Sequence, residues 1–418
     1  MKIAVVGAGV VGVATAYELT ECGHEVTVFE RRSSAAEEAS YAPGALVGPA
    51  LLAPWAVAGA MGGGGLSGME VGTAARMAEL RWLWHWRNAA TAPSKTSQAL
   101  AGLHALAALS THSQRRLIEI AEKLELPLEA SIGALVLLRD ARSAAAFRAS
   151  ADALRSAGAT LTELDAPAAR SIEPGLAESE KFSVAQHLPN AIAANCRQHT
   201  VLLRQAAQRL GASFEFQTTV VAMHHKGGKT QVQLADASPP RSFDAVVLCN
   251  GLDANALLQA LGIPLAMVAL WGTSLTAPLR EDAEQPQGTV IDAARQVSLA
   301  RIGNRIRVAG GAELGRTSSE SHQNTLRKLN EALDTWFPGC AARGAGMQVW
   351  RGARAVRRGG LPALGPSSVP GIWLNLAHGD SGWALASGCA QMLAHAMAGE
   401  EPPIGMQCMA HFGVTPPD

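Results

Sequence analysis

The sequence predicts an α/β protein, α+β overall, in which a Rossmann-type domain is assembled from separated segments and joined to a mixed-sheet domain. Three observations support this fold class. The chain has 418 residues, of which 48% are hydrophobic, so it exceeds one ordinary core and two domains are expected. It opens on a strand, glycine turn, helix and second strand within residues 2–30. Further strand-and-helix patterns occupy residues 196–258 and 371–399.

The first of these patterns is read from apolar spacing and glycines. KIAVV, at residues 2–6, is a short β-rich run typical of a strand buried on both faces. GAGVVG follows with Gly7, Gly9 and Gly12 in the spacing G-x-G-x-x-G, and VATAYELTECG continues as a helix. HEVTVFE forms the second strand and ends at Glu30. Strand, turn, helix, strand and terminal acid in this order indicate a dinucleotide-binding unit.

Each part of this unit has a physical role toward a dinucleotide. The glycines permit a tight turn, close approach of the backbone to a pyrophosphate and close helix–strand packing. The helix start at Val10 and Val11 offers N–H groups and a partial positive charge to the phosphates. Glu30 is placed to accept hydrogen bonds from ribose hydroxyls, which favours FAD or NAD over NADP. The motif alone does not separate FAD from NAD.

The nucleotide domain is predicted to be discontinuous. FDAVVLCNGLDANALL is typical of a buried strand that runs into a glycine turn and a helix, and GIWLNLAHGDSGWALASG repeats that pattern. A simple NAD dehydrogenase more often keeps its nucleotide domain contiguous, so separated segments favour FAD. We expect residues 1–55, 195–262 and 340–418 to form the FAD-binding domain, and residues 56–194 and 263–339 to form the substrate-binding domain.

Eight stretches carry a resemblance to a known family: VVGAGVVGVATAYEL, GHEVTVFER, APWAVAG, QHLPN, LWGTSLT, GNRIRVAGGAEL, WRGAR and WLNLAHGDSGWALASG. Over nearly its whole length the chain resembles the glycine-oxidase/D-amino acid oxidase superfamily of FAD enzymes, and within it the bacterial D-amino acid dehydrogenases. The resemblance implies an FAD domain plus a mixed-sheet substrate domain. It also implies hydride transfer from a carbon bearing an amine to flavin N5, with hydrolysis of the resulting imine in water.

The motif and the resemblance together give a set of FAD-binding candidates. The turn from His378 to Gly382 should lie against the flavin, where a helix N-terminus stabilises negative charge on the reduced ring. Gly379 and Gly382 permit close backbone approach. The candidates are Gly7, Gly9, Val10, Val11, Gly12, Glu30, Arg31, Ser40, Val220, Gly251, Gly379, Asp380, Ser381, Gly382 and Trp383.

Four arginines lie among four glycines in WRGARAVRRGGLPALG, at residues 350–365. By resemblance, Arg354 matches the arginine that binds the substrate carboxylate. A guanidinium offers a planar fork to a carboxylate and stays charged when desolvated. The alternative for Arg354 is a structural ion pair, and the other three arginines are expected in loops or interfaces. His378 also matches a family position, and its alternative is a packed histidine at a strand end. No protein base is nominated.

Three departures from the family pattern lie where a substrate or flavin ring would sit. SYAPGA, at Ser40–Ala45, replaces a Ser-x-x-Asn-x-Gly run, and Pro43 lacks an N–H donor and a side-chain amide. WGTS leaves Thr273 where the dehydrogenases have an aromatic hydroxyl on the substrate-facing strand, so Thr273 is the third catalytic candidate. Arg357–Gly360 replaces Thr-Pro-Asp-Gly. A different amine, a larger one or a changed oxidant would fit these differences.

Charge and cysteine usage narrow the expected partners. Lys+Arg and Asp+Glu both number 35, which argues against a nucleic-acid partner. The six cysteines form no C-x-x-C, which argues against a metal site or disulfide framework and favours the cytoplasm. We expect an amino acid or amine substrate and an electron acceptor, which is a quinone, another carrier or oxygen. The oligomeric state stays open.

An uncharged segment spans residues 39–69, but Pro43, Pro49 and Pro54 would break a membrane-spanning helix. We expect a loop over the flavin and the substrate entrance, with its apolar middle at residues 51–57 exposed. The related dehydrogenases pass electrons to a membrane quinone pool. Peripheral contact with the inner face of the cell membrane is therefore a hypothesis.

Three alternating tryptophans, Trp82, Trp84 and Trp86, are expected on a helix, either packed between domains or lining the substrate pocket. The leading functional hypothesis is an FAD-dependent amino-acid or amine dehydrogenase. One alternative is an oxidase of the same fold that uses oxygen directly. Others are a flavin-binding subunit without its own turnover, or an NAD-dependent dehydrogenase.

Overall fold

The structure is a computed structural model, and it covers most of the chain. It describes residues 1–48, 69–71, 77, 79–84, 93–315, 319–344, 346–357, 359–405 and 413. The predicted apolar loop at residues 51–57, Trp86 and Arg358 lie outside the described residues.

Helices and strands alternate in the first half of the chain, and strands dominate the second half. The helices of the described ranges are, in chain order, α1 (Val10–Glu21), α2 (Pro93–Lys123), α3 (Ala141–Ser156), α4 (Ala166–Ile172), α5 (Cys196–Arg209), α6 (Ala254–Ala260), α7 (Ser319–Trp336) and α8 (Gly382–Ala398). The strands are β1 (Lys2–Val6), β2 (Glu25–Phe29), β3 (Met69–Val71), β4 (Ser131–Leu138), β5 (Thr162–Leu164), β6 (Val184–Ala193), β7 (Ser213–Glu215), β8 (Val220–Lys226), β9 (Lys229–Leu234), β10 (Arg241–Phe243), β11 (Ala245–Leu248), β12 (Met267–Pro278), β13 (Thr289–Asp292), β14 (Val297–Ile302), β15 (Arg305–Leu314), β16 (Gln348–Arg357), β17 (Ala363–Pro366) and β18 (Ile372–Leu376).

A six-stranded sheet in the order β17-β18-β11-β1-β2-β7 is drawn from three separated parts of the chain. Its central strand β1 is apolar throughout because both faces are covered. Ile3 and Val5 pack in one cluster with α1, α2 and α8, whereas Ala4 and Val6 pack in another with α6 and the sheet β10-β9-β8. The predicted α/β fold class, with a Rossmann-type sheet built from separated segments, is confirmed.

The second large sheet has nine strands in the order β16-β12-β15-β14-β13-β4-β6-β5, with β3 added beside β15. The edge strand β16 lies inside the segment 340–418 that was assigned to the FAD-binding domain, yet it pairs along its length with β12. The division of the chain into two domains stays a prediction. Among the described residues, we find no helix that is both long and apolar enough to cross a bilayer.

Alternate residues of β12 lie on opposite faces of this sheet. Leu275 packs with Leu329 and Leu333 of α7. On the other face, the Ser274 hydroxyl donates to the carbonyl of Ala42 at 2.6 Å. We call this second face the inner face, because it is turned toward the segment that follows β2.

Candidate functional site

The carboxyl ends of four parallel strands meet at one edge of the six-stranded sheet. β1, β2, β11 and β18 run in the same direction. They lead into Gly7, Glu30, Gly251 and His378 respectively, each one to three residues beyond its strand. Open parallel sheets bind ligands at this edge. The structure therefore brings most of the predicted nucleotide-binding residues to one place.

At two positions of the glycine turn, Gly7 and Gly12, a side chain has no room. Gly7 has a φ of +102°, and a Cβ there would lie 2.9 Å from the Cα of Asn250. A Cβ on Gly12 would lie 1.9 Å from the carbonyl oxygen of Gly7. Gly9 is the N-cap of α1 and offers no capping side chain, although the Val10 N–H of the first turn donates to the Ser40 hydroxyl. A helix N-terminus favours an anion.

Acidic and basic side chains flank this turn. The Glu30 carboxylate accepts from the Ala8 N–H at 2.7 Å and from the Arg32 N–H at 2.8 Å, which holds it beside the glycines. Arg31 pairs with Asp253 at 3.0 Å, in the short 3-10 turn after β11. Gly251, at the start of that turn, has open space where a Cβ would stand.

These features fit the predicted dinucleotide. A Cβ at Gly7 or Gly12 would meet the backbone of the turn, the N-cap Gly9 has no side chain, and a carboxylate stands at the end of β2. The buried amide oxygen of Asn250, beside the glycine turn, has no hydrogen-bond partner in the described part of the chain. Val220 is buried in the same apolar cluster as Phe29 and Val6, at the start of β8.

The segment Ser40–Ala45 is held at its two ends by α1 and α8, the helices that pack on the six-stranded sheet. The hydroxyl of Ser40, the first residue of the segment, accepts a hydrogen bond from the Val10 N–H at 3.0 Å. The carbonyl of Ala45 accepts from the indole N–H of Trp383 at 3.1 Å. Trp383 is therefore a packing residue whose donor is already used inside the protein.

The middle of this segment is held by the inner face of the nine-stranded sheet. Besides the bond from Ser274, Arg307 Nη1 donates to the carbonyl of Pro43 at 3.3 Å, and its Nε donates to Thr276 at 3.0 Å. Burial lowers the pKa of Arg307 to about 10. Sequence reasoning missed Arg307, although an arginine inside the apolar run RIRVAGG was an available signal.

Arg354 also lies on the inner face, at the edge strand β16. Its Nε donates to the carbonyl of Leu270 at 3.2 Å, and its Nη2 donates to the carbonyls of Trp271, at 3.2 Å, and Gly311. Its Nη1 forms an ion pair with Asp380, in the turn before α8. Arg354 thus joins the sheet to the turn before α8 through an ion pair, and its binding of a substrate carboxylate stays a prediction.

The structure places Thr273 and the Arg354 guanidinium on opposite faces of the nine-stranded sheet, and a catalytic role for Thr273 stays a prediction. Thr273 points to the α7 face, where its hydroxyl lies 3.5 Å from His322 Nδ1. On that face its cross-strand neighbour Arg351 pairs with the buried Glu313 at 2.8 Å. The residue of β12 that faces the Arg354 guanidinium is Gly272.

His378 stands at the end of β18, where it leads into the 3-10 turn Gly379–Ser381. Burial lowers the pKa of His378 to about 4, and its Nε2 has no partner among the residues that the structure describes. Gly379 has a φ of +56°, and its missing side chain would lie 3.2 Å from Val356. A small cavity is lined by Leu106, Val356 and this turn.

An apolar cluster extends the inner face next to Arg354. Trp82 packs there with Leu270 and Val356, and only 8% of its surface is exposed. Trp84, on the same helical residues 79–84, is 60% exposed. Trp82 is therefore the tryptophan of this run that borders the Arg354 region.

Arg357 is the last residue of β16, where it is the Cα partner of Met267 on β12, rather than a residue of a loop. Its guanidinium donates to the carbonyls of Leu361, Pro362 and Gly413, at 2.7, 2.8 and 3.0 Å. Burial lowers the pKa of Arg357 to about 10. It ties the turn after β16 to the C-terminal part of the chain.

Comparison with known proteins decides the family. The family model described as DAO, FAD dependent oxidoreductase, matches residues 2–396. The chain belongs to the DAO family of FAD-dependent oxidoreductases. FAD is therefore its cofactor, as predicted. The glycine motif alone had left FAD and NAD open. The predicted resemblance is confirmed.

Relatives in this family are similar over the full length of the chain. A D-amino acid dehydrogenase from Cereibacter sphaeroides is 31% identical over 415 residues, which are 97% of this chain and 93% of the relative. A D-amino acid dehydrogenase from Rhizobium johnstonii is 28% identical over 429 residues, which are 98% and 99% of the two chains.

Solved structures share the fold. The glycine oxidase of Geobacillus kaustophilus superposes with a TM-score of 0.72 at 20% identity, covering 100% of this chain and 99% of that one. The iminodiacetate oxidase of Chelativorans sp. BNC1 superposes with a TM-score of 0.71 at 20% identity, covering 100% of both chains.

Proposed function

We propose that this oxidoreductase oxidises the C–N bond of an amino acid or related amine, in the manner of a D-amino acid dehydrogenase. One observation carries the proposal: the Arg354 guanidinium lies on the inner face beside the turn that precedes α8. The names of the relatives, D-amino acid dehydrogenase, and of the structural neighbours, glycine oxidase and iminodiacetate oxidase, support the same substrate class.

The FAD is held, in this proposal, along the carboxyl edge of the six-stranded sheet. The glycine turn and the start of α1 bind the pyrophosphate, and Glu30 binds the ribose. Ser40, Arg31, Val220 and Gly251 line the nucleotide, while the turn Gly379–Gly382 lies beside the ring. The bound flavin supplies the two-electron chemistry by accepting a hydride from the substrate carbon.

The residues around Arg354 orient the substrate. A guanidinium fork pairs with the substrate carboxylate and fixes the carbon that carries nitrogen. Trp82, Leu270 and Val356 form an apolar border that excludes water. His378 is neutral at pH 7, because burial lowers its pKa to about 4, and it serves as a hydrogen-bonding group. A neutral amine needs no protein base, and the imine hydrolyses in water after release.

Anaerobic bleaching of the flavin tests the proposal. Purified holoenzyme is mixed without oxygen with D- and L-amino acids, N-methyl amino acids and cyclic amines, and the visible flavin absorption is followed. Bleaching by at least one amino acid or amine is expected. If none of these compounds bleaches the flavin, the alternative of a flavin-binding subunit without its own turnover is favoured.

The electron acceptor is decided by a second measurement. Stopped-flow mixing of the reduced enzyme with air separates an oxidase, which reoxidises fast, from a dehydrogenase that needs a quinone or another carrier. We expect the dehydrogenase outcome because of the relatives' names. Peripheral contact with the inner face of the membrane, through residues 51–57, is tested by flotation with liposomes, using wild type and Trp55→Ser.

A further inference from the structure

Arg354 and Trp350 lie over two glycines that face each other on the inner face. Gly272 of β12 and Gly352 of β16 are Cα partners in the antiparallel pairing of these strands. A Cβ on Gly272 would lie 2.8 Å from Arg354 Cζ, and a Cβ on Gly352 would lie 3.2 Å from Trp350 Nε1. We call Gly272 and Gly352 the glycine floor. Because neither residue has a side chain, both nitrogen-bearing groups can lie close to the sheet.

The glycine floor brings the two groups within reach of one small ligand. Side chains on directly opposed residues of an antiparallel pair begin roughly 5 Å apart. An N–H···O hydrogen bond places donor and acceptor about 2.9 Å apart. A single carboxylate above the floor can therefore accept from the Arg354 guanidinium with one oxygen and from the Trp350 indole with the other.

The indole N–H of Trp350 is not used inside the described part of the chain. Its Nε1 is buried and has no hydrogen-bond partner among the described residues. Buried donors are nearly always paired in folded proteins, so this exception calls for a partner such as a bound ligand. The Arg354 side chain next to it is 22% exposed, so a ligand can reach this part of the inner face.

The direction of this N–H is fixed before any ligand arrives. The Trp350 ring stacks on the Tyr41 ring, with centroids 4.4 Å apart and planes inclined at 30°. The Arg197 guanidinium lies over the Tyr41 ring, 4.1 Å from its centroid. Tyr41 follows Ser40, whose hydroxyl is bonded to the Val10 N–H. A donor that is fixed in this way loses little conformational entropy when it binds a ligand.

Arg354 has few donors left for a carboxylate. A guanidinium has five N–H groups. The Nε hydrogen and both Nη2 hydrogens go to the carbonyls of Leu270, Trp271 and Gly311. One Nη1 hydrogen goes to Asp380, and these contacts leave the other Nη1 hydrogen for a ligand. A carboxylate has two acceptor oxygens, so a second donor beside Arg354 would strengthen its binding.

We propose that Trp350 is a second substrate-binding residue, whose indole N–H donates to the carboxylate that Arg354 binds. The inference rests on the proposed function, in which that carboxylate belongs to an amino acid. Arg354 supplies the charge and Trp350 holds the second oxygen, so the carboxylate lies in one orientation over the glycine floor. Ligands without a carboxylate cannot use the indole donor in this way. Trp350 therefore adds to the preference for amino acids over simple amines.

Two ligands that cannot be oxidised test the inference without turnover. 2-Aminoisobutyrate has no hydrogen on the carbon that carries nitrogen, and tert-butylamine has a methyl in place of its carboxylate. Their dissociation constants for the holoenzyme are measured by calorimetry and by perturbation of the flavin spectrum. Trp350→Phe keeps an aromatic ring for the stack with Tyr41 but loses the N–H. It should bind 2-aminoisobutyrate at least about tenfold more weakly than wild type, because a hydrogen bond to a charged group is lost. Its affinity for tert-butylamine should equal that of wild type.

Trp373→Phe is the matched control, because Trp373 is also half-buried but lies on β18 of the six-stranded sheet. Both dissociation constants should stay unchanged in Trp373→Phe. Trp350→Leu provides a second variant without the N–H if Trp350→Phe folds poorly. FAD content should match that of wild type in every variant, because the N–H serves the substrate rather than the cofactor.

Steady-state kinetics separate substrate binding from damage to the whole site. An interaction that is equally strong in the ground state and the transition state affects KM and leaves kcat unchanged. In Trp350→Phe, the KM for the amino acid that bleaches the flavin best should therefore rise at least about tenfold. Its kcat should stay within about twofold of the wild-type value.

The outcomes distinguish this inference from the proposed function. An unchanged 2-aminoisobutyrate constant in Trp350→Phe and Trp350→Leu overturns the inference, and so does an equal weakening of 2-aminoisobutyrate and tert-butylamine. If 2-aminoisobutyrate alone is weakened but no amino acid or amine bleaches the flavin, Trp350 stands as a carboxylate-binding residue and the proposed oxidation fails. If amino acids bleach the flavin but Trp350→Phe behaves as wild type, the proposed function stands and the inference fails.

Discussion

Gly272 faces the guanidinium of Arg354 so closely that a Cβ at position 272 would lie 2.8 Å from Arg354 Cζ. The two residues lie on adjacent strands, with Gly272 two residues beyond the Cα partner of Arg354, Leu270. Glycine gives the guanidinium room to lie flat against β12 and to reach the carbonyls beneath it. The position of the carboxylate-binding candidate therefore depends on a residue without a side chain.

Gly272→Ala should move the guanidinium without unfolding the protein. The group that a methyl would meet is the end of a flexible side chain, so the melting temperature and FAD content should change little. The fork would be misplaced, and kcat/KM for an amino acid should fall by about tenfold or more. Steady-state kinetics with the amino acid that bleaches the flavin best checks this. Full activity in Gly272→Ala would show that the observed position of Arg354 is not needed.

Glu30→Gln should weaken FAD retention by about 1–3 kcal/mol, the range for a lost charged hydrogen bond. Glu30 lies beside the glycine turn, where its carboxylate accepts from the Ala8 N–H. Fluorescence titration of the apoprotein with FAD measures the effect. Glu25→Gln is the control, because Glu25 begins the same strand but is exposed and pairs only loosely with Lys2, at 3.7 Å. Equal FAD affinity in wild type and Glu30→Gln would remove Glu30 from the ribose site.

His199 should make the protein less stable as the pH falls below about 6.5. The side chain is buried against Trp383, neither ring nitrogen has a partner among the described residues, and burial lowers the pKa of His199 to about 4. Histidine in the unfolded chain has a pKa of about 6.5, so below this pH the unfolded chain binds a proton that the folded chain does not bind. Stability from this histidine is thus complete above pH 6.5 and is lost between pH 6.5 and 4, at about 1.4 kcal/mol per pH unit.

His199→Leu should remove that contribution. Urea unfolding at pH 7, 6 and 5 should show a shallower pH dependence in His199→Leu than in wild type. The control is His104→Gln on α2, whose side chain is exposed. His378 has the same sign of effect, so part of the pH dependence should remain. An identical pH dependence in wild type and His199→Leu would contradict the buried, neutral state of His199.

The parts of the fold that follow from local sequence were predictable. KIAVV forms β1 over the same residues that its apolar run indicated, and Glu30 follows β2 directly. Glycine spacing identifies this unit because the backbone approaches closely within the turn, as at Gly12, where there is no room for a side chain. The family resemblance added FAD, which the motif alone had left open against NAD.

The candidate site depends on relations between distant strands, and these were harder to predict. Thr273 was expected to face the substrate, but β12 alternates regularly along its pairing with β16, so that Thr273 lies on the α7 face and Gly272 on the inner face. Arg354 lies on β16 of the nine-stranded sheet, whereas Asp380 lies in the turn that follows β18 of the six-stranded sheet. No local sequence pattern predicts that these two residues form an ion pair. Which face a strand residue occupies is set by its neighbours in the sheet.

The role of Arg354 in substrate binding is tested most directly by its own truncation. The kcat/KM of Arg354→Ala is measured with the best amino acid substrate, together with its FAD content. Removing one partner of a desolvated charge pair costs about 2–5 kcal/mol, so kcat/KM should fall roughly 30- to 5000-fold. Arg354→Lys keeps the charge but loses the fork, so its kcat/KM should lie between those of wild type and Arg354→Ala.

FAD content in Arg354→Ala should stay near that of wild type, and Arg343→Ala, an exposed arginine paired with Asp334, should keep full activity. The predicted result is a large loss of kcat/KM with the flavin retained. Full activity of Arg354→Ala, or a best substrate that carries no carboxylate, would contradict the account.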